Sequence, residues 1–386
     1  MAAPGDPPER RMDISFDLQV RHDSNVARAD SIRAAQRGLH RSDQRLTPSI
    51  TADIATPLGS HSFGLQGSVG YDFYNHNSQL NRERLALESQ LGLNLPVCDT
   101  TLTAGISRRQ SDLGEVGQLP GVTGTDSVKN AETSKSVGAS FSCGGAFGLR
   151  PIASVGYTDA RNSNSARDLT DYDSFSYSGG VGYVHPSIGE LELFVRRAET
   201  RFPNQPRLIG GGKDGYNVMS YGGRFSRSIG SRLRGSVELS YTDLNPRGPI
   251  ANDFNGLNWA VELDAQISQR LLIHSALSRS IVSTLTVDSA YHVDTLYLID
   301  ASYAINERLT LKTGFSHLPR RYYNGQTTFG PALTKDHQNV GYATLVYAFS
   351  PKINFSFDIG RETRNANGNF YDYKNTRASV GVSYKF

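Results

Sequence analysis

The charged residues of this chain recur on alternate positions within apolar segments, and that spacing defines the chemistry open to them. Asp17, Arg21, Glu88, Arg150, Glu192, Arg196, Arg224, Arg232, Arg234, Glu238, Glu262, Asp264, Asp294, Asp300, Lys312 and Asp358 stand out of phase with neighbouring Val, Leu, Ile, Phe and Tyr residues. In an extended chain this phase puts them together on one face, opposite the apolar one. Sealed in a dry core, such charges would each cost several kcal/mol unless paired. On the wall of a water-filled lumen they avoid that cost and can sort ions and hydrated solutes by sign. The expectation is that these residues line a lumen, with Arg224, Arg232 and Arg234 forming a basic group at one rim, either in the pore or as an anchor to an anionic surface.

Covalent chemistry finds no comparable support. Gly210-Gly211-Gly212-Lys213 resembles a phosphate loop only in part, since Arg207 and Asp214 stand where that motif requires Gly and Ser/Thr. His292 and Asp294 share a strand face and could pair as acid and base, but no nucleophile stands beside them in the sequence and a solvated wall explains them better. There is no GxSxG or HExxH motif, and the nine His are dispersed. No catalytic residue, metal ligand or cofactor is expected.

The elements that position these residues must be strands. Ile14, Phe16, Leu18 and Val20 alternate with polar residues near one end, and Ala378, Val380, Val382, Tyr384 and Phe386 do so at the other. The same pattern gives eighteen segments, most of them longer than the ~9–11 residues that cross a bilayer at a tilt. Every second connection is a tight turn, such as Pro57-Leu58-Gly59-Ser60 or Ser350-Pro351-Lys352. Most of the others are long and polar, at about 24–43, 111–132, 160–172, 201–215, 245–254, 320–337 and 365–373. Segregated loop lengths predict an all-β fold: one closed antiparallel transmembrane β-barrel with short periplasmic turns and long extracellular loops. A net charge of +3 argues against nucleic acid as a partner. Mean hydropathy of -0.42, with no apolar run of ~18 residues, excludes a helical membrane bundle.

A sheet this wide cannot fill its interior with side chains, so the apolar face should meet outer-membrane lipid. Tyr71, Phe73, Tyr74, Tyr157, Tyr183, Phe202, Tyr241, Tyr291, Tyr303, Tyr322, Tyr323, Tyr371 and Tyr373 lie near strand ends and are expected as interfacial girdles. Arg28, Arg33, Arg37, Arg41, Arg161, Arg167, Arg201, Arg207, Arg320 and Arg321 crowd the long loops, where they suit phosphates of lipopolysaccharide or an acidic glycan. Residues 1–11 have no apolar signal-peptide core; they read as a periplasmic N-terminal extension of a mature chain, with the barrel over 12–386. Loop 111–132, with Gly114, Gly117, Pro120, Gly121 and Gly124, could enter the lumen or cover it. Cys98 and Cys143 fall at the same rim of neighbouring strands, which predicts a disulfide formed in an oxidising compartment. The apolar pattern runs through nearly all strands without a polar sector, which leans to a monomer.

The terminal Phe386 resembles the final aromatic residue of bacterial outer-membrane barrels, which the barrel-assembly machinery reads. The first strand running into Asp23-Ser24-Asn25-Val26-Ala27-Arg28, and the Phe73-Tyr74 strand followed by that of Leu85 and Leu87, resemble the beta-barrel porin type two family. That resemblance implies an outer-membrane channel exporting a secreted polysaccharide, an exopolysaccharide or capsule, with a periplasmic polysaccharide-export lipoprotein as partner. The alternative expectation is a general or substrate-selective diffusion porin for small solutes.

Overall fold

A computed structural model describes residues 10–114, 124, 128–206, 213–247, 253–283, 291–323 and 333–386. The first six strands are β1 (Arg11–Asp23), β2 (Asp43–Leu58), β3 (His61–Tyr74), β4 (Arg82–Asn94), β5 (Cys98–Gln110) and β6 (Ala131–Cys143). Next come β7 (Gly148–Asn162), β8 (Tyr172–His185), β9 (Gly189–Pro206), β10 (Lys213–Ile229), β11 (Leu233–Pro246) and β12 (Phe254–Gln266). The last six are β13 (Leu271–Ser283), β14 (Tyr291–Ala304), β15 (Leu309–Tyr323), β16 (Lys335–Ala348), β17 (Ile353–Ala366) and β18 (Tyr373–Lys385). One α-helix, α1 (Ser31–Gln36), lies between β1 and β2.

Each strand pairs antiparallel with its sequence neighbours, and β1 pairs with both β2 and β18. The sheet is therefore a closed barrel of eighteen strands, as the alternation requires. Closure leaves no edge whose amides would go unsatisfied in hydrocarbon. Phe386 completes the seam, its backbone N–H donating to the Ile14 carbonyl at 3.0 Å. Connections of two to four residues close one end, and connections of six to twenty residues close the other. Gly59 holds φ +66° in the two-residue β2–β3 turn, a left-handed conformation that a side chain would strain.

Direct partners in the register point to the same side, so the pairings extend one parity round the barrel. One parity carries Phe16, Ile50, Val69, Val137, Leu239, Phe357, Ile359 and Val380, all exposed, Ile50 at 53% and Ile359 at 60%. An apolar belt running round the whole wall has no aqueous counterpart and is the surface of a lipid-embedded barrel. The other parity carries most of the Ser, Thr and Gly and, apart from outward charges chiefly near the long-loop rim, the charged residues. Buried apolar side chains occur chiefly at the long-loop end, in three separate clusters. The anticipated N-terminal extension falls mostly outside the described residues, and Arg11 already pairs with Ala55 in the sheet.

Candidate permeation path

The wet parity faces inward, because Arg364 of β17 carries it and reaches the Gly114 carbonyl beyond β5, across five intervening strands. Asp17 accepts from Thr51 at 2.8 Å, and Arg21 donates to Asp23 at 2.8 Å. Glu88 stands opposite Gln66. Glu192 is opposite Arg224, which is opposite Glu238, and Arg196 lies 3.6 Å from Glu238. Arg234 is opposite Asp264, whose carboxylate meets His274 at 2.7 Å, and Glu262 is opposite Ser236. Asp300 accepts from the Tyr342 hydroxyl at 2.7 Å, Lys312 stands beside Thr344, and Asp358 accepts from Thr344 at 3.0 Å. Arg150 donates to the Gly145 carbonyl at the short-turn rim, and Arg232 lies in the turn between β10 and β11. Acids thus intersperse with Arg224 and Arg234, and no isolated basic group stands there. His292 meets Asp294 at 3.0 Å and packs on Tyr322, with its ring inside the wall.

One sector of the wall is basic. Arg21, Arg45, Arg84 and Arg109 of β1, β2, β4 and β5 line a cavity of about 440 Å³ together with Arg28, Asp23, Asp72 and Asp112. Asp72 is held at 2.7 Å by Thr47, while Arg45 and Arg84 stand off at 3.5 and 3.8 Å. The Nε groups of Arg21 and Arg45 are buried there without a hydrogen-bond partner.

The long-loop mouth is crossed by an ordered network that the alternation of the strands could not announce. The β1–β2 connection folds inward, with Asp30 capping α1 by accepting from the Arg33 backbone at 2.8 Å. Ala27, Ala29, Ala34, Leu39, Leu80, Leu113 and Val128 bury one another beside it. Small side chains let the segment lie close to the wall. Arg28 holds φ +46° and spans from Asp112 at 2.5 Å to Glu362 at 3.1 Å. The left-handed backbone costs about 1–2 kcal/mol, which the two carboxylates offset. Arg364 reaches the Gly114 carbonyl and shares Asp336 with Arg320, which binds that carboxylate through two nitrogens at 2.9 and 2.8 Å. Burial disfavours charge on Asp112, yet Arg28 outweighs it and holds the carboxyl below its ordinary range. Burial, with Arg33 and Arg167 nearby, brings Arg37 down to about 10, still a cation at neutral pH. Arg37 donates to the Ala27 and Leu113 carbonyls.

A second constriction comes from the opposite wall. Pairing of β12 with β13 stops at Trp259 and Arg279, whereas β13 and β14 stay paired to Ser283 and Tyr291. Tyr291 and Val293 carry the outer parity but are buried against Phe202, Tyr216, Leu244 and Phe254, which carry the inner one. The tip of β13–β15 therefore folds across the inside of β9–β12, with Tyr291 stacked on Tyr323 at 5.2 Å.

These contacts correct two expectations. Tyr71, Tyr157, Tyr183, Tyr241 and Tyr303 are exposed on the outer wall, but Phe202, Tyr291, Tyr322, Tyr371 and Tyr373 are buried at the mouth and form no girdle. Similarly, Arg33, Arg37, Arg167 and Arg320 are buried, and Arg28 is engaged by two carboxylates, so none of these meets lipid. Carboxylates and carbonyls converging inside the mouth bind them more strongly than exposed phosphates would. Arg207 and most of loop 111–132, including Gly117, Pro120 and Gly121, lie outside the described residues. At the opposite rim Cys98 and Cys143 are direct partners in the β5–β6 register and form the anticipated disulfide.

A closed, lipid-facing β-barrel with a charged inner wall is the architecture of a bacterial outer-membrane channel. Residues 14–386 match the family described as Putative beta-barrel porin 2, and the chain belongs to that family. It is a protein of the bacterial outer membrane. Among solved structures, OccK2 (OpdF) of Pseudomonas aeruginosa in complex with glucuronate is 12% identical, with 98% of each chain covered and a TM-score of 0.49. OpdK of Pseudomonas aeruginosa is 12% identical over 97% of this chain and 99% of that one, with a TM-score of 0.48. OccAB3 of Acinetobacter baumannii is 10% identical over 97% and 99%, with a TM-score of 0.45. No curated protein matches the sequence.

Proposed function

We propose that this porin is a substrate-selective diffusion channel for small solutes, and that Asp17, Arg21, Glu88, Glu192, Arg196, Arg224, Arg234, Glu238, Glu262, Asp264, Asp300, Lys312 and Asp358 line its path. The observation that carries this reading is the network joining Arg28, Asp112 and Glu362 across the outer mouth. With the inward tip of β13–β15 it narrows the bore from two sides, which suits solutes that slip past fixed side chains. Export of a polysaccharide, the function the family resemblance implied, needs a continuous bore. Arg28 would then have to release Asp112 and Glu362, and Arg364 the Gly114 carbonyl, exposing buried charge for each chain passed. The basic cavity at Arg21, Arg45 and Arg84 gives the path a preference for anions.

Proteoliposome swelling tests this reading. Monosaccharide-sized solutes should enter, small organic anions faster than cations of the same size, and oligosaccharides should be excluded. Liposomes that admit no small solute but release an encapsulated polysaccharide through the barrel would restore the export reading.

A further inference from the structure

Outward-pointing cations at the long-loop rim differ sharply between two sectors of the wall. On β4 and β5, Arg108 is neutralised by Glu83; on β7 and β8, Arg161 meets Asp159 and Asp173; beside β9, Arg197, Arg201 and Arg247 share Glu199. On β15–β18 the outward positions near the same rim hold His317, Arg321, Lys335, His337, Arg361 and Lys374, and no outward position of these four strands is acidic. Arg321, Lys335, Arg361 and Lys374 are exposed; Arg321, although opposite the inward-packed Val293, lines a groove with the outward His317, Lys335 and His337. The connecting segment 324–334 contains no acid either, and Asp372 of the next connection accepts from the Ala366 backbone instead. His317 and His337 stand 5.9 Å apart, oriented by Asn339 and Asn365. Directly below lie the exposed apolar side chains Phe315, Phe357, Ile359 and Val380.

We infer that this face of β15–β18 binds a phosphorylated glycolipid of the outer leaflet, of the lipid A class. Concentrated unpaired positive charge above an apolar wall matches a headgroup with two phosphates above packed acyl chains. The guanidinium of Arg321 offers the fork geometry that phosphate oxygens accept, and Arg361, two residues from Ile359 on the same outer face, has a stem long enough to lie on the apolar belt with its charge at headgroup height. On β4 and β7–β9 the outward acids Glu83, Asp159, Asp173 and Glu199 would repel the same phosphates.

Native mass spectrometry of the refolded barrel in detergent, titrated with bisphosphorylated lipid A in EDTA, tests this assignment. The wild type should retain the lipid. Arg321→Gln/Lys335→Gln/Arg361→Gln/Lys374→Gln should bind it at least about tenfold more weakly, while Arg108→Gln/Arg201→Gln should bind as the wild type does. If the quadruple variant fails to show the heat-modifiable gel shift of a folded barrel, the strand-end pair Arg321→Gln/Lys335→Gln carries the comparison. Undiminished binding by the folded variant, or equal binding of lipid A stripped of phosphate, overturns the proposal. So does a wild-type oligomer that the variant breaks into monomers, since a second copy would then occupy this face.

Discussion

Arg28 and Glu362, 334 residues apart in sequence, meet at 3.1 Å inside the mouth of the barrel. Glu362 lies on β17 while Arg28 sits in the first long connection, which the same guanidinium ties to Asp112 beyond β5. β17 and β5 are separated by five intervening strands on the shorter way round the ring, so this one side chain braces the opening. Arg28→Met should leave the barrel folded, raise its conductance and cost about 1–3 kcal/mol of stability through the two carboxylates left without it. Urea titration followed by gel mobility, beside bilayer recording, measures both effects. Unchanged conductance with lost stability would make the brace purely structural.

Asp336 is completely buried and receives both Arg320 and Arg364. Asp336→Ala removes the shared carboxylate from two buried guanidiniums, for an expected loss of about 3–5 kcal/mol. The loss should exceed that of Asp17→Ala, whose partners Ser15 and Thr51 lie on the wetter wall. Comparable losses at the two sites would mean that the mouth is as hydrated as the lumen.

The depressed ionisation of Asp112 gives the brace a pH dependence of fixed sign. Because the folded value lies below the unfolded one, its contribution is complete above the ordinary carboxylate pKa and is lost as pH falls through the folded value. Conductance should therefore stay flat from neutral pH to about pH 4 and change only below it. Asp112→Asn should show the altered conductance already at neutral pH. A transition centred near pH 6 would point to a histidine instead.

How much of this was legible in the sequence follows from where side chains alternate. Period two made the strands, closure and inner-face charges readable, because a buried-or-wet decision is taken anew at every residue from Ile14 to Phe386. The Cys98–Cys143 pair followed from the same register. The mouth did not, because its contacts join segments distant in sequence: Arg364 and Gly114 lie 250 residues apart. Tyr291 misled for a related reason, since its outer parity is correct but the strand tip that carries it bends inward. A faint signal did exist in Ala27, Ala29 and Ala34, whose small side chains suit close packing better than a free loop.

The disulfide at the other rim should act on stability alone. It closes a separation of 45 residues spanning β5, its long connection and β6. Reduction should lower the barrel's stability by about 2–4 kcal/mol and leave conductance unchanged, since Cys98 and Cys143 carry the outer parity far from the mouth. Parallel urea titrations and bilayer recordings, with and without reductant, separate the two effects.

Selectivity should trace to the basic sector. Arg21→Gln/Arg45→Gln should move the reversal potential in a salt gradient toward cations, with the open current retained. An unaltered reversal potential would place the selecting charges elsewhere on the wall.

Single-channel recording in a planar bilayer, comparing the wild type with Arg28→Met/Arg364→Met, tests the central claim most directly. The account predicts an ohmic, anion-preferring current in the wild type that excludes oligosaccharides, and a larger current in the variant that admits them. A wild-type barrel that is silent until a polysaccharide enters it would contradict the diffusion-channel reading.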